Sequence, residues 1–301
     1  RISRYVSHVR EVTLMATNDK RLSVTELDFD DIKLNLKTFL KAQNEFKDYD
    51  FEGSGMSILL DTLAYNTHYI VSHAKMLGYE VSSPKASKAI INVSLSTSKT
   101  TATMGAGTAF TTTVNGTSYQ FVTIADVTGT NTGSAVPFDS TEIYEGTYVT
   151  TKYSVDSSDI DQRFIITDNR ADTTTLTVKV QTSDSDTTTT TYTKATDISQ
   201  LSRSSTVYFL QESEDGKSEV YFGDGIISQA ISDGNIVTLS YVVTNKTLAN
   251  GASSFSSPSA IDTVTTITIT TVANASGGAE AESLQSIKLN APLDYAAQGR
   301  A

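Results

Sequence analysis

The chain has 301 residues, of which 38% are hydrophobic and 19% charged, with a net charge of −11 and no cysteine. The acidic balance argues against nonspecific binding to nucleic acid, which needs clustered lysine and arginine, and against docking to anionic lipid. Without cysteine the fold uses neither disulfides nor thiolate metal sites. No apolar run approaches the length that spans a membrane.

The chain begins with a weakly periodic stretch and then becomes helical. Residues 1–25 are predicted to be a tail or an upstream extension. Residues 28–46 are predicted to form an amphipathic helix, because Asp28 can cap its first turn and apolar residues recur at helical spacing on one face. That apolar stripe consists of Ile32, Leu36, Phe39 and Leu40.

A second helix is predicted after a short break at 48–50. The pair of glycines in Gly53-Ser54-Gly55 marks its entry, and Gly78 is a plausible end. Its helically spaced apolar and aromatic residues are Ile58, Leu59, Leu63, Tyr65 and Tyr69. Two helices with a short connection predict a hairpin. Since a two-helix hairpin cannot bury both stripes by itself, we predict that these nine residues form a subunit interface in a helical assembly segment, 26–89. The end of that segment includes a last helical stretch at 85–89.

From about residue 90 the period of the pattern changes from helix to strand. Ile91, Val93 and Leu95 alternate with polar residues, as in a half-buried strand. Asparagine-glycine and aspartate-glycine pairs mark the turns that follow. Further strands are predicted at 109–113, 119–124, 146–155, 164–167, 176–180, 207–211, 219–222, 236–243 and 264–272.

The β region is predicted to have two parts. Residues 90–139 and 201–275 are assigned to one β-domain, and the threonine-rich residues 140–200 to a subdomain inserted into it. The tract 183–191 is predicted to be an exposed hairpin tip, because it has nothing apolar to bury.

The sequence turns helical again near its C-terminal end. Gly277 and Gly278 punctuate the chain, and Glu280 and Glu282 favour a helix start. A partly apolar stretch then runs to Pro292, so 276–301 is predicted to be the start of a truncated C-terminal helical part. The predicted fold class is therefore α+β: an N-terminal helical hairpin or bundle, a multi-part and mainly antiparallel β region, and the start of a further helical segment.

The sequence carries no convincing chemical motif. The FGDG stretch at 222–225 has one aspartate, whereas calcium needs several close oxygen ligands, so a tight hairpin turn is the better interpretation. His68 and His73 are five residues apart and do not share a helix face as metal ligands would. Nucleophile-elbow, phosphate-loop and dinucleotide fingerprints are absent from the sequence. We therefore predict no catalytic residue, cofactor or metal, and a protein that is not an enzyme.

Five stretches of the chain are specific in their order and combination. They are ELDFDDIKLNLKTFLKAQNEFKDYDFEGSGMSILLDTLAYNTHY (26–69), SHAKMLGYEVSSPKAS (72–87), MGAGTAF (104–110), VYFLQESEDGKSEVYFGDGIISQAISDGNIVTLSYVVTN (207–245) and SGGAEAESLQSIKLNAPLDYAAQGRA (276–301). Taken together they resemble the baseplate wedge proteins of contractile-tailed bacteriophages, the baseplate J-like family. Such proteins carry a further helical stretch between positions like 69 and 72 and continue beyond a position like 301, which indicates that this chain is a piece of a longer architecture.

The resemblance implies structural work in a phage tail. It implies a homodimer formed through the helices, contacts with other baseplate wedge proteins, and β-domains that link neighbouring wedges into a ring around the tail tube. It places the protein in the virion tail baseplate after assembly in the host cytoplasm, with no membrane partner and no sequence-specific contact to nucleic acid.

Two other functions remain open from the residues alone. A threonine-rich β adhesin or receptor-binding module would place its binding loops in the β region and would not need the helices. A carbohydrate-active enzyme should show a cleft with perturbed carboxylates. The apolar helix stripes favour the assembly subunit over both.

Overall fold

The computed structural model describes residues 67–156, 158–159, 162–196, 200–212, 217–257 and 259–298. Within them the chain is mostly β, with fourteen strands, two α-helices and one 3₁₀ turn. Helix α1 is Thr67–Met76, the 3₁₀ turn is Lys246–Ala249 and helix α2 is Leu284–Gln298. The strands are β1 (Lys88–Ser96), β2 (Thr101–Met104), β3 (Ala109–Val114), β4 (Thr117–Val122), β5 (Val127–Thr130), β6 (Ala135–Glu145), β7 (Thr147–Ser154), β8 (Phe164–Ile166), β9 (Ala171–Ser183), β10 (Asp186–Lys194), β11 (Val207–Glu212), β12 (Ser218–Phe222), β13 (Ile236–Val243) and β14 (Ile267–Ser276).

The first sheet has five strands in the order β14-β1-β6-β4-β3, and its pairs are antiparallel. Strand β1 is buried at every second residue, and Ile91, Val93 and Leu95 are at most 1% exposed. This confirms the alternation that predicted the strand, because successive side chains point to opposite faces of a sheet. Strands β2 and β5 form a separate antiparallel pair.

The irregular segment 251–256 completes the core of the first sheet. Phe255 packs edge-to-face on Phe121 of β4, with ring centroids 4.9 Å apart. The next residue, Ser256, forms a bridge with Thr111 of the edge strand β3. At the opposite edge, Gly251 donates a backbone hydrogen bond to the end of β14. The segment therefore reaches both edge strands and covers their shared core.

The second sheet has seven strands in the order β7-β13-β9-β10-β11-β12-β8. Its pairs are antiparallel except for β10 with β11. One apolar cluster lies against it, and Tyr192 meets Phe222 there edge-to-face at 5.2 Å. The most deeply buried members of that cluster are Val178, Val220, Val237, Leu239, Tyr241, Phe164 and Ile166.

The two sheets meet where β6 passes into β7 through a single residue, Gly146. Its φ is +129°, and a Cβ at this position would lie 2.2 Å from the carbonyl oxygen of Val243, so only glycine fits. The preceding residue, Glu145, is fully buried. Its carboxylate accepts hydrogen bonds from the hydroxyl of Thr244 and from the backbone and side-chain amides of Asn245, at 2.7–2.8 Å. The end of β6 is thereby fastened to the end of β13.

A second buried carboxylate fastens the connection from α1 to β1. Asp172 of β9 is 1% exposed and accepts the amide of Ala86 at 2.8 Å. It also accepts the amide and the hydroxyl of Thr174, at 2.9 and 2.6 Å. Next to this contact, Lys85 forms a bridge with Ala279. The chain segments that lead out of α1 and into α2 are therefore held side by side.

The structure agrees with most predicted strands and corrects three local predictions. The helical stretch at 85–89 is wrong, since β1 begins at Lys88. The tract 183–191 is mainly strand β10, and the tip of the β9–β10 hairpin lies at 184–185. The strand forms without a buried face, because its backbone pairs with β9 and threonine has a high β-propensity. Strands β2, β5 and β6 were missed, β2 and β5 because four residues are too short for a clear pattern and β6 because polar residues interrupt its alternation.

The sheet membership also differs from the predicted division of the β region. Strands β11 to β13, within 207–243, were grouped with the first β part, but their hydrogen bonds place them in the second sheet with β7 to β10. After β6 the chain returns to the first sheet only at β14. The predicted helical segment before residue 67 lies outside the described residues. In the described part the protein is mostly β with two helices.

Candidate functional site

Helices α1 and α2 come from distant parts of the sequence and pack on each other. Helix α1 buries Ile70, Val71 and Ala74, and α2 buries Ile287 and Ala291. Ile287 and Ala291 are four residues apart, so they lie on one face of α2. This face is the inner side of the helix.

A carboxylate at the entrance of α2 ties the helix to the segment that follows α1. Glu282 accepts the hydroxyl of Tyr79 at 2.8 Å and the amide of Ser82 at 3.3 Å. It also accepts the hydroxyl of Ser286 at 2.7 Å and the side-chain amide of Asn290 at 3.2 Å. Partial burial acts to raise the pKa of Glu282, but these hydrogen bonds outweigh it and hold the pKa below its usual value. The same burial and the bond to Glu282 raise the pKa of Tyr79.

The outer side of α2 is also apolar. Leu289 and Leu293 are 66% and 61% exposed, and Pro292 and Ala296 are exposed between and beyond them. These four residues have the i, i+3, i+4, i+7 spacing of one helix face, and we name them the α2 stripe. Tyr295, 58% exposed, flanks it. A helix that is apolar on both sides is typical of a helix buried on both sides, so the α2 stripe is a surface suited to a partner.

The sequence predicted only part of this surface. Leu289 was recognised in the partly apolar stretch up to Pro292, and 276–301 was predicted to be the start of a helical part, within which α2 runs to Gln298. Leu293 and Tyr295 were not singled out. The spacing of Leu293 from Leu289 was the available signal.

The predicted interface residues of the N-terminal helices fall almost wholly outside the described residues. This applies to Ile32, Leu36, Phe39, Leu40, Ile58, Leu59, Leu63 and Tyr65. Tyr69 lies within α1, and α1 is continuous from Thr67 to Met76, so its backbone is helical across the 69–72 position. The interface role of all nine residues stays a prediction.

The predicted tight hairpin turn at the FGDG stretch is wrong, because the stretch begins the connection from β12 to β13, and these strands are not neighbours in the sheet. The stretch makes a local turn instead. The carboxylate of Asp224 accepts the amide of Ile226 at 2.9 Å, which lowers its pKa, and the amide of Gly225 donates to the carbonyl of Ser228 at 3.0 Å. Among the residues that the structure describes, no three histidine, aspartate or glutamate side chains come together to hold a metal ion. No helix in that part of the chain is both long and apolar enough to cross a membrane.

Comparison with known proteins gives matches to one group. Residues 28–88 match the family model for the gp6-like baseplate wedge protein, helical domain, and residues 147–252 match the one for the bacteriophage baseplate wedge protein gp6, third domain. The chain is 30% identical over 309 residues to the baseplate wedge protein gp6 of Enterobacteria phage T4. That alignment covers 86% of this chain and 46% of the T4 protein, so the chain spans about half the length of this relative.

A mostly β body that carries a helix with two apolar faces is suited to a structural subunit of a larger assembly. The two matched domains and the T4 relative specify that assembly. The chain belongs to the gp6-like baseplate wedge proteins of contractile-tailed bacteriophages. Its place is the tail baseplate of the virion.

Proposed function

We propose that the chain dimerises through its helices within a baseplate wedge and that its β region links neighbouring wedges into a ring around the tail tube. In this function the protein contacts other baseplate wedge proteins, is assembled in the host cytoplasm, and acts without catalysis, cofactor or membrane. The chain's membership in the gp6-like family supports a structural role in the baseplate.

The observation that carries the helix interface is the α2 stripe. Leu289 and Leu293 point away from the side of α2 that Ile287 and Ala291 bury. Burying one exposed leucine side chain contributes about 1.5–3 kcal/mol, so two leucines together with Pro292 supply a useful part of a dimer contact. The predicted stripes around Leu36 and Leu63 have the same apolar character, and we propose that they also make contacts between subunits.

The contacts at the base of α2 support an interface of fixed geometry. Glu282 binds α2 to the segment after α1, and Asp172 binds the next part of that segment to the second sheet. The α2 stripe is therefore presented at a defined position relative to the β body. A surface held in one arrangement loses less conformational freedom on association.

The test is the mass of the purified 301-residue chain in solution, by size-exclusion chromatography with light scattering. We expect the parent chain to associate, and we expect Leu293→Asp to lower the mass of that assembly with an unchanged circular dichroism spectrum, because a buried unpaired carboxylate is costly. Asn274→Asp adds the same charge at an exposed site on β14 and should leave the mass unchanged. A monomeric parent chain, or a Leu293→Asp chain with the mass of the parent, would contradict the helix interface.

A further inference from the structure

Strand β10 has an open edge in the second sheet. It pairs with β9 as far as Tyr192, but it meets β11 only through Thr193–Val207 and Lys194–Tyr208. Among the described residues no strand lies on the outer side of residues 187–191. These five residues are consecutive threonines, and all of them are exposed.

The backbone groups of this edge point outward. Thr193 donates its amide to Thr206 and Ala195 donates to Tyr208, both on the β11 side, at 3.1 and 2.9 Å. Since N–H and C=O groups alternate in direction along a strand, the amides and carbonyls of Thr191 and Thr189 face the same open side. The edge therefore offers two donors and two acceptors in the geometry that a further strand requires.

The outer strands of the two larger sheets are protected in ways that Thr189 to Thr191 of β10 are not. Strand β8 has three residues, and β7 carries the exposed Lys152. Strand β3 is bridged by Ser256, and β14 has two register shifts and is bonded at its end by Gly251. Short strands, lysines, irregularities and covering loops are the usual protection of sheet edges. Strand β10 has one register shift, between Asp186 and Thr189, but from Thr189 to Thr191 its edge is regular, uncharged and β-branched, so it is a surface for strand pairing.

We propose that the open edge of β10 pairs, antiparallel and about a two-fold axis, with the same edge of a second copy of this chain. The edge is self-complementary, because each threonine then lies opposite a threonine, a pairing that stabilises antiparallel sheets. An axis at the middle residue, Thr189, joins two seven-stranded sheets into one continuous sheet.

The charges at the two ends of the edge favour this second copy. The hairpin tip before Thr187 carries Asp184 and Asp186, and the segment that leads into β11 carries the exposed Arg203. In an antiparallel pair each acidic tip points towards the partner's Arg203 end. Opposite charges at the ends select this direction of pairing. The surface is separate from the α2 stripe and goes beyond the helix interface proposed above.

Because the chain has no cysteine, single introduced cysteines can test the pairing directly. Directly opposite residues in an antiparallel pair have Cα atoms about 4.5–5.5 Å apart, within the range of about 4.4–6.8 Å that a disulfide spans. We expect Thr189→Cys, or Thr190→Cys if the axis lies one residue further on, to convert most of the chain into a disulfide-linked dimer under mild oxidation. The matched control is Thr270→Cys, an exposed threonine on β14, which should stay mainly uncrosslinked.

A second substitution checks that the cross-link depends on strand pairing. Thr191→Pro removes an outward amide and leaves the ladder to β9 intact, since the Thr191 amide does not point towards β9. Added to the cysteine variants, it should greatly reduce the cross-linked fraction, and Thr191→Lys should do the same by placing a charge at the edge.

The cross-linked fraction of each cysteine variant is measured in the parent background and in a background that also carries Leu293→Asp. Cross-linked dimer in both backgrounds supports the β10 interface whatever the light-scattering result says about the helices. Cross-linking by neither Thr189→Cys nor Thr190→Cys, or equal cross-linking by Thr270→Cys, overturns it, and leaves the helix interface to be judged by its own mass measurement. An edge that accepts a strand only from a different protein would give this negative outcome.

Discussion

Glu145 accepts a hydrogen bond from the Thr244 hydroxyl at 2.8 Å, and both residues are fully inaccessible to solvent. The contact joins the last residue of β6 in the first sheet to the residue after β13 in the second. Two further bonds from Asn245 complete the environment of the carboxylate. The relative position of the two sheets therefore rests on a satisfied polar site and not on apolar packing alone.

Replacement of Glu145 should destabilise the fold strongly. Glu145→Ala leaves the buried hydroxyl of Thr244 without its acceptor and removes both bonds from the exposed Asn245, so we expect the free energy of unfolding to fall by about 2–3 kcal/mol. Urea unfolding followed by circular dichroism measures this. Glu142→Gln, at an exposed ion pair with Lys88, should cost less than about 1 kcal/mol. Equal costs at the two sites would show that the buried carboxylate is not important for the junction.

The passage between the sheets should tolerate no side chain. Gly146→Ala places a Cβ against the Val243 carbonyl at a φ of +129°, so the strand junction must shift. Gly116 also has a positive φ, of +83°, but a Cβ there meets nothing within 4 Å. We expect Gly116→Ala to cost about 1–2 kcal/mol from backbone strain alone and Gly146→Ala to cost clearly more. Thermal denaturation of the two variants side by side gives the comparison, and the reverse order would contradict it.

The attachment of α2 to the rest of the protein should weaken at acidic pH. The pKa of Glu282 is lowered in the folded chain, so its contribution to stability is present above the unfolded value of about 4.3 and is lost as the pH falls through the folded pKa. We expect amide hydrogen exchange in α2, corrected for intrinsic rates, to increase relative to the β strands over that acidic window.

Glu282→Gln should remove most of this pH dependence. Glu280→Gln is the matched control, because Glu280 is an exposed partner of Lys246 and does not contact Tyr79. A pH response of α2 that survives in Glu282→Gln would assign the effect to another group.

The irregular segment that closes the first sheet should be as important as a strand. Phe255 is 9% exposed and packs on Phe121, so Phe255→Ala leaves a cavity and should cost about 3–5 kcal/mol. Phe255→Leu keeps most of the volume and should cost much less. Chemical denaturation distinguishes the two variants, and similar small losses for both would show that this segment is not part of the core.

The local elements of the β region were largely predictable because they depend on short-range patterns. The alternation around Ile91 predicted β1, and 236–243 was predicted with the bounds that β13 has. Strand β10 escaped prediction because Thr187 to Thr191 bury nothing, so the strand exists through its pairing with β9. Helix α2 lies within the predicted helical part 276–301, but its outward leucines were not singled out, because only the packed structure shows which face of the helix is covered.

The sequence by itself determined that the chain is acidic, free of cysteine, β-rich in its middle and related to baseplate wedge proteins. These properties depend only on composition, local periodicity and the order of motifs along the chain. The tertiary structure alone decided that β7 to β13 share one sheet, that Glu145 sits at the junction, and which side of α2 is left uncovered. Hydrogen-bond partners and burial depend on residues about a hundred or more positions apart, as Glu145 and Thr244 are. A strand pattern in the sequence predicts that a strand forms, but only the folded sheet shows which strand edge lacks a neighbour.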